Sequence, residues 1–208
     1  MKINNPLDTI LDSEVKVKIL RFLFRTNAEW NGRQIAKEIK VTPVTAHKAL
    51  RSLHREGVLL LRNVGKTHIY SLSQNNFIIL NMLKPLFVKE SKIMDSIFNV
   101  IRRKISNSDI KKYIISVSLF GSVGSHKDHP ASDIDIIVIV RNLNVKPKAE
   151  ILFDEIDKKI SKEFGSILSP YINTELELKA KYKKGLNVIA NILKSNELIY
   201  GTQLGRII

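Results

Sequence analysis

Asp133 and Asp135 stand one residue apart at the head of an apolar run, and Gly121-Ser122 closes an earlier apolar run, Tyr113–Phe120. Side chains alternate along a strand, so the two carboxylates project on one side while Ile134 and Ile136 go to the other. Two acids that close repel one another unless a cation lies between them. Mg2+ suits that role, being hard, oxygen-seeking and commonly shared with substrate phosphates. Mn2+ is the other candidate. Gly121 lets a ligand approach the backbone closely, and Ser122 offers a hydroxyl where free N–H groups at a helix start could cradle phosphate. Ser132 adjoins the acids. The constellation points to metal-assisted chemistry on a nucleotide, with Gly121, Ser122 and Ser132 as the nucleotide contacts.

Strands and helices must bring these residues together. Tyr113–Phe120 and the run that opens at Asp133 have strand length, and the polar, turn-rich interval Val123–Ser132 separates them. Lys146–Phe164 reads as an amphipathic helix, with Ile151, Leu152 and Ile156 inward and Glu150, Asp154, Glu155 and Asp157 on a solvated face. Leu168–Thr174 is the next strand and carries Ser169, Tyr171 and Asn173 on one face, with no acid. Glu175 and Glu177 follow it. Lys179, Lys181, Lys183 and Lys184 read as an exposed basic turn within reach of phosphates, ahead of a helix over Leu186–Leu193 and the closing Glu197–Gly201. His126 and His129 share the polar interval with Asp128, but a loop trio without further ligands is more often solvated than metallated.

The Gly121-Ser122 pair, the interval Val123–Ser132 and Asp133-Ile134-Asp135 resemble, in spacing and order, the motif of the DNA polymerase beta-like nucleotidyltransferase superfamily. Within it the resemblance is to the minimal nucleotidyltransferases. It implies transfer of NMP from an NTP, ATP first among them, to an acceptor hydroxyl. Asp133 and Asp135 would be the catalytic metal ligands, one ion orienting the triphosphate and another activating the attacking hydroxyl, with pyrophosphate leaving in line. Two departures stand out. Many members have Ala-Arg-Gly soon after Gly-Ser, where this chain has Gly124-Ser125-His126. Active members also place a third catalytic carboxylate on a later strand, where Leu168–Thr174 has none and the nearby candidates are Glu175 first and then Glu177. Without it the second metal is poorly held and no side chain is left as general base. The alternative is therefore a DNA-binding regulator whose nucleotidyltransferase-like domain senses nucleotide without turning it over.

The first third of the chain follows a different plan. Asp12 or Ser13 can cap a helix whose apolar face is Val15, Ile19, Phe22 and Leu23. A short helix covers Arg33–Ile39, and Thr42-Pro43 starts a third with Ala46, Leu50 and Leu53 inward. Gly57 ends it, and Val58–Arg62 and Thr67–Leu72 form a hairpin around Asn63–Lys66. This order resembles a winged helix-turn-helix domain. The resemblance implies DNA binding, with Thr45, Lys48 and Arg51 on the groove-facing side of the third helix and Lys66 at the wing tip. His47, His54 and His68 read as surface or groove residues.

A helical stretch opens at Phe77 and runs to about Ile105, with Pro85 expected to kink it. It could carry a homodimer contact. The expected fold is α+β: a winged helix over 1–75, a connecting helix over 76–108, and a mixed sheet with flanking helices over 109–208. The formal net charge of +14 and pI near 9.9 favour polyanionic partners such as DNA and nucleotides. With no cysteine, disulfides and thiolate zinc sites are excluded. No apolar run approaches the ~18 residues of a membrane span, so a cytoplasmic protein is expected.

Overall fold

The computed structural model describes residues 3–121 and 132–208, so Ser122, His126, Asp128 and His129 lie outside the described residues. The chain divides into two compact units, Met1–Ile93 and Met94–Ile208.

Local capping sets the helices of the first unit. After a short α1, Leu7–Ile10, the helix α2, Glu14–Thr26, begins where Ser13 Oγ accepts the Lys16 N–H at 3.4 Å. A two-residue β1, Trp30–Asn31, leads into α3, Gly32–Glu38, which opens on a reciprocal cap: Asn31 Oδ1 accepts from Gln34 N at 2.9 Å, and Gln34 Oε1 accepts from Asn31 N at 3.1 Å. Thr42 caps α4, Pro43–Arg55, by accepting the Thr45 N–H at 3.2 Å, with Pro43 in the first turn. Ile19, Leu20, Leu23, Ile35, Leu50, Leu53 and Leu59 are fully buried and form one core. Strands β2, Leu59–Val64, and β3, Thr67–Leu72, pair antiparallel, and β1 adds to β3. Val64 pairs with Thr67, so the turn is Gly65-Lys66 alone, shorter than the four residues expected. Gly65 takes φ +58° there, a conformation that glycine adopts without strain. Three helices and this wing make the winged helix-turn-helix arrangement.

Residues 76–108 are apportioned between the two units. A π-helical turn, Ile79–Leu83, runs into α5, Lys84–Glu90, and α6, Ile93–Ser106, follows after Ser91-Lys92. Pro85 follows directly on the π-helical turn, where the regular α-helical pattern gives way, and a further interruption falls at Ser91-Lys92. Apolar partners decide the division: Ile78, Ile79, Leu83 and Phe87 enter the core of the first unit, while Ile97, Phe98, Ile101 and Ile105 enter that of the second.

Among the described residues the second unit is a four-stranded mixed sheet with helices on both faces. Its strands are β4, Ile114–Leu119, β5, Ile134–Val140, β6, Leu168–Thr174, and β7, Glu197–Gly201, in the order β6-β5-β4-β7. β5 is antiparallel to β4 and parallel to β6, and α7, Lys146–Phe164, makes the crossover between β5 and β6. Ile134, Ile136 and Val138 pack with α6 and α7 on one face. Ile137 and Ile139 pack on the other with α8, Glu175–Lys183, and α9, Asn187–Lys194. Two local expectations change. In α7 the buried residues are Ala149, Phe153, Ile156 and Ile160, and Ile151 is exposed, because the i, i+4, i+7 stripe is offset from the one expected. Residues 175–183 form a helix rather than a basic turn. Thr174 Oγ1 accepts from Glu177 N at 3.1 Å while Glu177 Oε2 accepts from Thr174 N at 2.7 Å, which starts the helix. No helix among the described residues is long and apolar enough to cross a membrane.

Candidate functional site

Strand direction brings the chemistry together. Because β4 and β5 are antiparallel, with Leu119 opposite Ile136, the C-terminal end of β4 lies at the N-terminal start of β5. Phe120 N–H donates to the Asp135 carbonyl at 2.9 Å, which places Gly121 beside Asp135. Gly121 has φ +82°, and a Cβ built there would run into Asp135 Oδ2, with the Asp135 Cγ and Cβ at 3.1 and 3.2 Å. Asp133 is exposed just ahead of the strand, Ser132 is half-buried before it, and Asp135 is half-buried within it. Burial raises the Asp135 carboxyl above the ordinary aspartate value, and the negative charge of Asp133 raises it further. The sequence-expected trio Gly121, Asp133 and Asp135 is therefore assembled at one end of the sheet.

Glu175 is not part of it. On β6 the residue paired with Asp135 is Ser169, and the parallel register runs on to Val140 opposite Thr174. Glu175 comes after Thr174, six residues beyond Ser169, which at about 3.3 Å per residue is roughly 20 Å along the sheet. There it pairs with Lys179 at 2.8 Å. Glu177 is equally committed: its carboxylate accepts from the Thr174 N–H and from Lys146 Nζ at 3.0 Å. The bond to the Thr174 N–H is the main reason its pKa is lowered, and Lys146 adds to the effect. Thr174-x-x-Glu177 is a capping-box pattern, the sequence signal that could have identified both acids as helix-start residues. Glu197 lies at the same end of the sheet as Asp135, but it pairs with Leu119, whose side chain belongs to the core on the opposite face. No group of three or more His, Cys, Asp or Glu side chains fit for a metal occurs among the described residues.

Lys181 of α8 is drawn into the fold. Lys181 Nζ donates to Tyr171 Oη at 2.7 Å and to Asn173 Oδ1, and lies 4.7 Å from the centre of the Tyr171 ring. Sequence reasoning missed this cluster, since it depends on β6 and α8 packing together. Lys183 and Lys184 are exposed.

In the winged helix, Thr45, Lys48 and Arg51 lie exposed on α4, opposite buried Ala46, Leu50 and Leu53, and Lys66 is exposed in the wing turn. The Thr45 hydroxyl shares a 2.8 Å hydrogen bond with Thr42 Oγ1 at the helix cap. Of the histidines, His54 binds its ring to the Leu59 carbonyl oxygen at 2.9 Å.

Residues 103–204 match the family described as Polymerase beta, Nucleotidyltransferase. No curated protein matches the chain. Among solved structures, HlyU from Vibrio cholerae N16961 is 18% identical with a TM-score of 0.36, over 45% of this chain and 97% of its own. A possible transcriptional regulatory protein from Mycobacterium bovis is 20% identical with a TM-score of 0.34, over 43% of this chain and 88% of its own. A toxin-antitoxin complex with AMP-PNP is 18% identical with a TM-score of 0.32, over 52% of this chain and 76% of its own. These likenesses are slight, and the winged-helix assignment rests on the connectivity described above.

Proposed function

Taking residues 103–204 as a nucleotidyltransferase domain of the polymerase beta type, we propose that the protein transfers NMP from an NTP, ATP first among them, to an acceptor hydroxyl. The observation that carries this reading is the convergence of Gly121, Asp133 and Asp135 where β4 ends and β5 begins. Two oxygen-bearing acids, one of them half-buried and reluctant to ionise beside the other, are a donor set that fits a hard divalent cation, Mg2+ or Mn2+. Bound there, the ion would neutralise phosphate charge as the transition state forms. Asp135 holds its carboxylate fixed at the strand, and Asp133 offers the second ligand from the solvent side. Ser132 precedes them as a nucleotide contact, and Gly121 leaves room for phosphate to approach. In the reaction the acceptor oxygen bonds to the α-phosphorus as the bond to the β-phosphate breaks. Pyrophosphate leaves with that electron pair, and the acceptor's proton passes to solvent water. The test is label transfer from each α-labelled NTP with Mg2+ or Mn2+ and cell extract, beside Asp133→Ala/Asp135→Ala. Equal transfer by the double variant would end this reading.

A second reading draws on one observation, Ser169 beside Asp135 in place of an acid. It makes the domain a nucleotide sensor attached to a regulator, and it expects metal-dependent nucleotide binding with no transfer.

The winged helix serves DNA in both readings. Exposed Lys48, Arg51 and Lys66 on a chain of charge +14 support phosphate contacts, with Thr45 toward the bases. Phe77, Leu80, Leu86 and Val88, exposed on the helical segment closing the first unit, support a homodimer contact of the kind that reads paired half-sites.

A further inference from the structure

We propose that Gly121 is a positioning residue for Asp135, giving the carboxylate the space in which it binds metal; the inference rests on the reading of Asp135 as a metal ligand. Its φ of +82° already favours glycine, and the contacts add a second requirement. An L side chain at 121 would meet the Asp135 carboxylate oxygen directly, with Cγ at 3.1 Å and Cβ at 3.2 Å. Turning the carboxylate about its Cα–Cβ bond relieves only part of this, because that rotation leaves the Asp135 Cβ in place. The backbone cannot easily retreat either. Phe120 N–H is bonded to the Asp135 carbonyl, and Leu119 is held in register with Ile136.

Other glycines separate this contact from backbone strain. Gly165, at φ +69°, and Gly185, at φ +67°, have nothing within 4 Å of a built Cβ. Gly201, at φ +81°, abuts the Ile115 backbone. Among the described glycines, only at Gly121 does a Cβ meet an acidic side chain. Gly121 therefore acts on the metal-binding carboxylate itself, apart from any closeness it allows to phosphate.

The experiment is a Mn2+ titration of the full-length, metal-free protein followed by electron paramagnetic resonance, with no nucleotide present. The set is wild type, Gly121→Ala, Asp135→Ala, their double variant and Gly165→Ala, each also melted thermally. Gly121→Ala is expected to weaken Mn2+ binding about tenfold or more, the range typical of lost support around a metal ligand. The double variant should bind no more weakly than Asp135→Ala alone, since both changes act through one carboxylate. Gly165→Ala should melt lower yet bind Mn2+ as wild type does. Asp135→Ala should also raise the melting temperature of Gly121→Ala by removing the atoms in collision. Mn2+ affinity unchanged by Gly121→Ala, or losses that add in full in the double variant, would overturn the proposal. Should Gly121→Ala fail to fold, the double variant must fold, and its failure counts against the proposal. A wild-type protein that binds no Mn2+ overturns the metal reading itself, a result distinct from a difference among variants.

Discussion

Asp135 and Ser169 are register partners on adjacent parallel strands, so the side chain across the strand gap from the half-buried carboxylate ends in a hydroxyl. Neighbouring strands lie about 4.8 Å apart, which sets the distance at which a third acid would stand. Ser169→Asp is expected to raise the Mn2+ stoichiometry from one to two and to increase label transfer. Without metal it should lower the melting temperature, since three carboxylates then share one site. Stoichiometry held at one in the variant would show that residue 169 does not face the pair.

The raised pKa of Asp135, caused first by burial and then by Asp133, makes a pH-dependent signature. A folded-state carboxyl that holds its proton above the unfolded value contributes destabilisation as pH rises through the folded pKa. Metal-free Asp135→Asn should therefore melt above wild type at neutral pH, with the difference vanishing at a pH below the ordinary aspartate range. Mn2+ affinity of wild type should climb as pH rises through the Asp135 titration, because proton and metal compete for one carboxylate. A pH-independent affinity from the ordinary aspartate range upward would contradict this.

Helix α8 depends on its reciprocal cap. Thr174→Ala is expected to lower stability by about 1 kcal/mol, measured by denaturant unfolding. The lowered pKa of Glu177, due chiefly to the Thr174 N–H, makes a contribution that is present above the unfolded glutamate value and lost as pH falls through the folded one. Glu177→Gln should be less stable than wild type at pH 7, and the two should converge in acid. An unchanged gap at low pH would mean that the charge of Glu177 is not what stabilises the helix start.

On the winged helix, Lys48→Ala and Arg51→Ala should each weaken binding to duplex DNA and reduce the slope of log affinity against log salt by about 1. Fluorescence anisotropy at several salt concentrations measures both. Identical slopes in wild type and variants would remove these side chains from the phosphate contacts.

Much of the fold was legible in the sequence because local chemistry dictated it. Thr42-Pro43 starts a helix where expected, and Leu168–Thr174 is a strand with the expected limits. Alternation along β5 foretold that Asp135 would face away from Ile134 and Ile136, and the two isoleucines do lie in the opposite core. The rest depended on pairing and packing between distant segments. Residue spacing alone did not reveal that β6 runs parallel to β5, and that direction is what carries Glu175 away from the aspartates. The further break at Ser91-Lys92 follows from two separate cores claiming the apolar residues on either side. The lysines after β6 have the composition of a solvated turn, and the reciprocal cap between Thr174 and Glu177 makes them a helix. The contact between Gly121 and Asp135 needed the antiparallel register of β4 and β5.

Asp133 and Asp135 are proposed to carry metal-dependent NMP transfer. Incubation with α-labelled ATP and the other NTPs, Mg2+ or Mn2+ and cell extract tests it most directly, wild type beside Asp133→Ala/Asp135→Ala. Label should pass to an acceptor with wild type, only with metal, and be lost in the double variant. Transfer undiminished in the double variant, or no transfer by wild type with any NTP despite metal-dependent nucleotide binding, would contradict it.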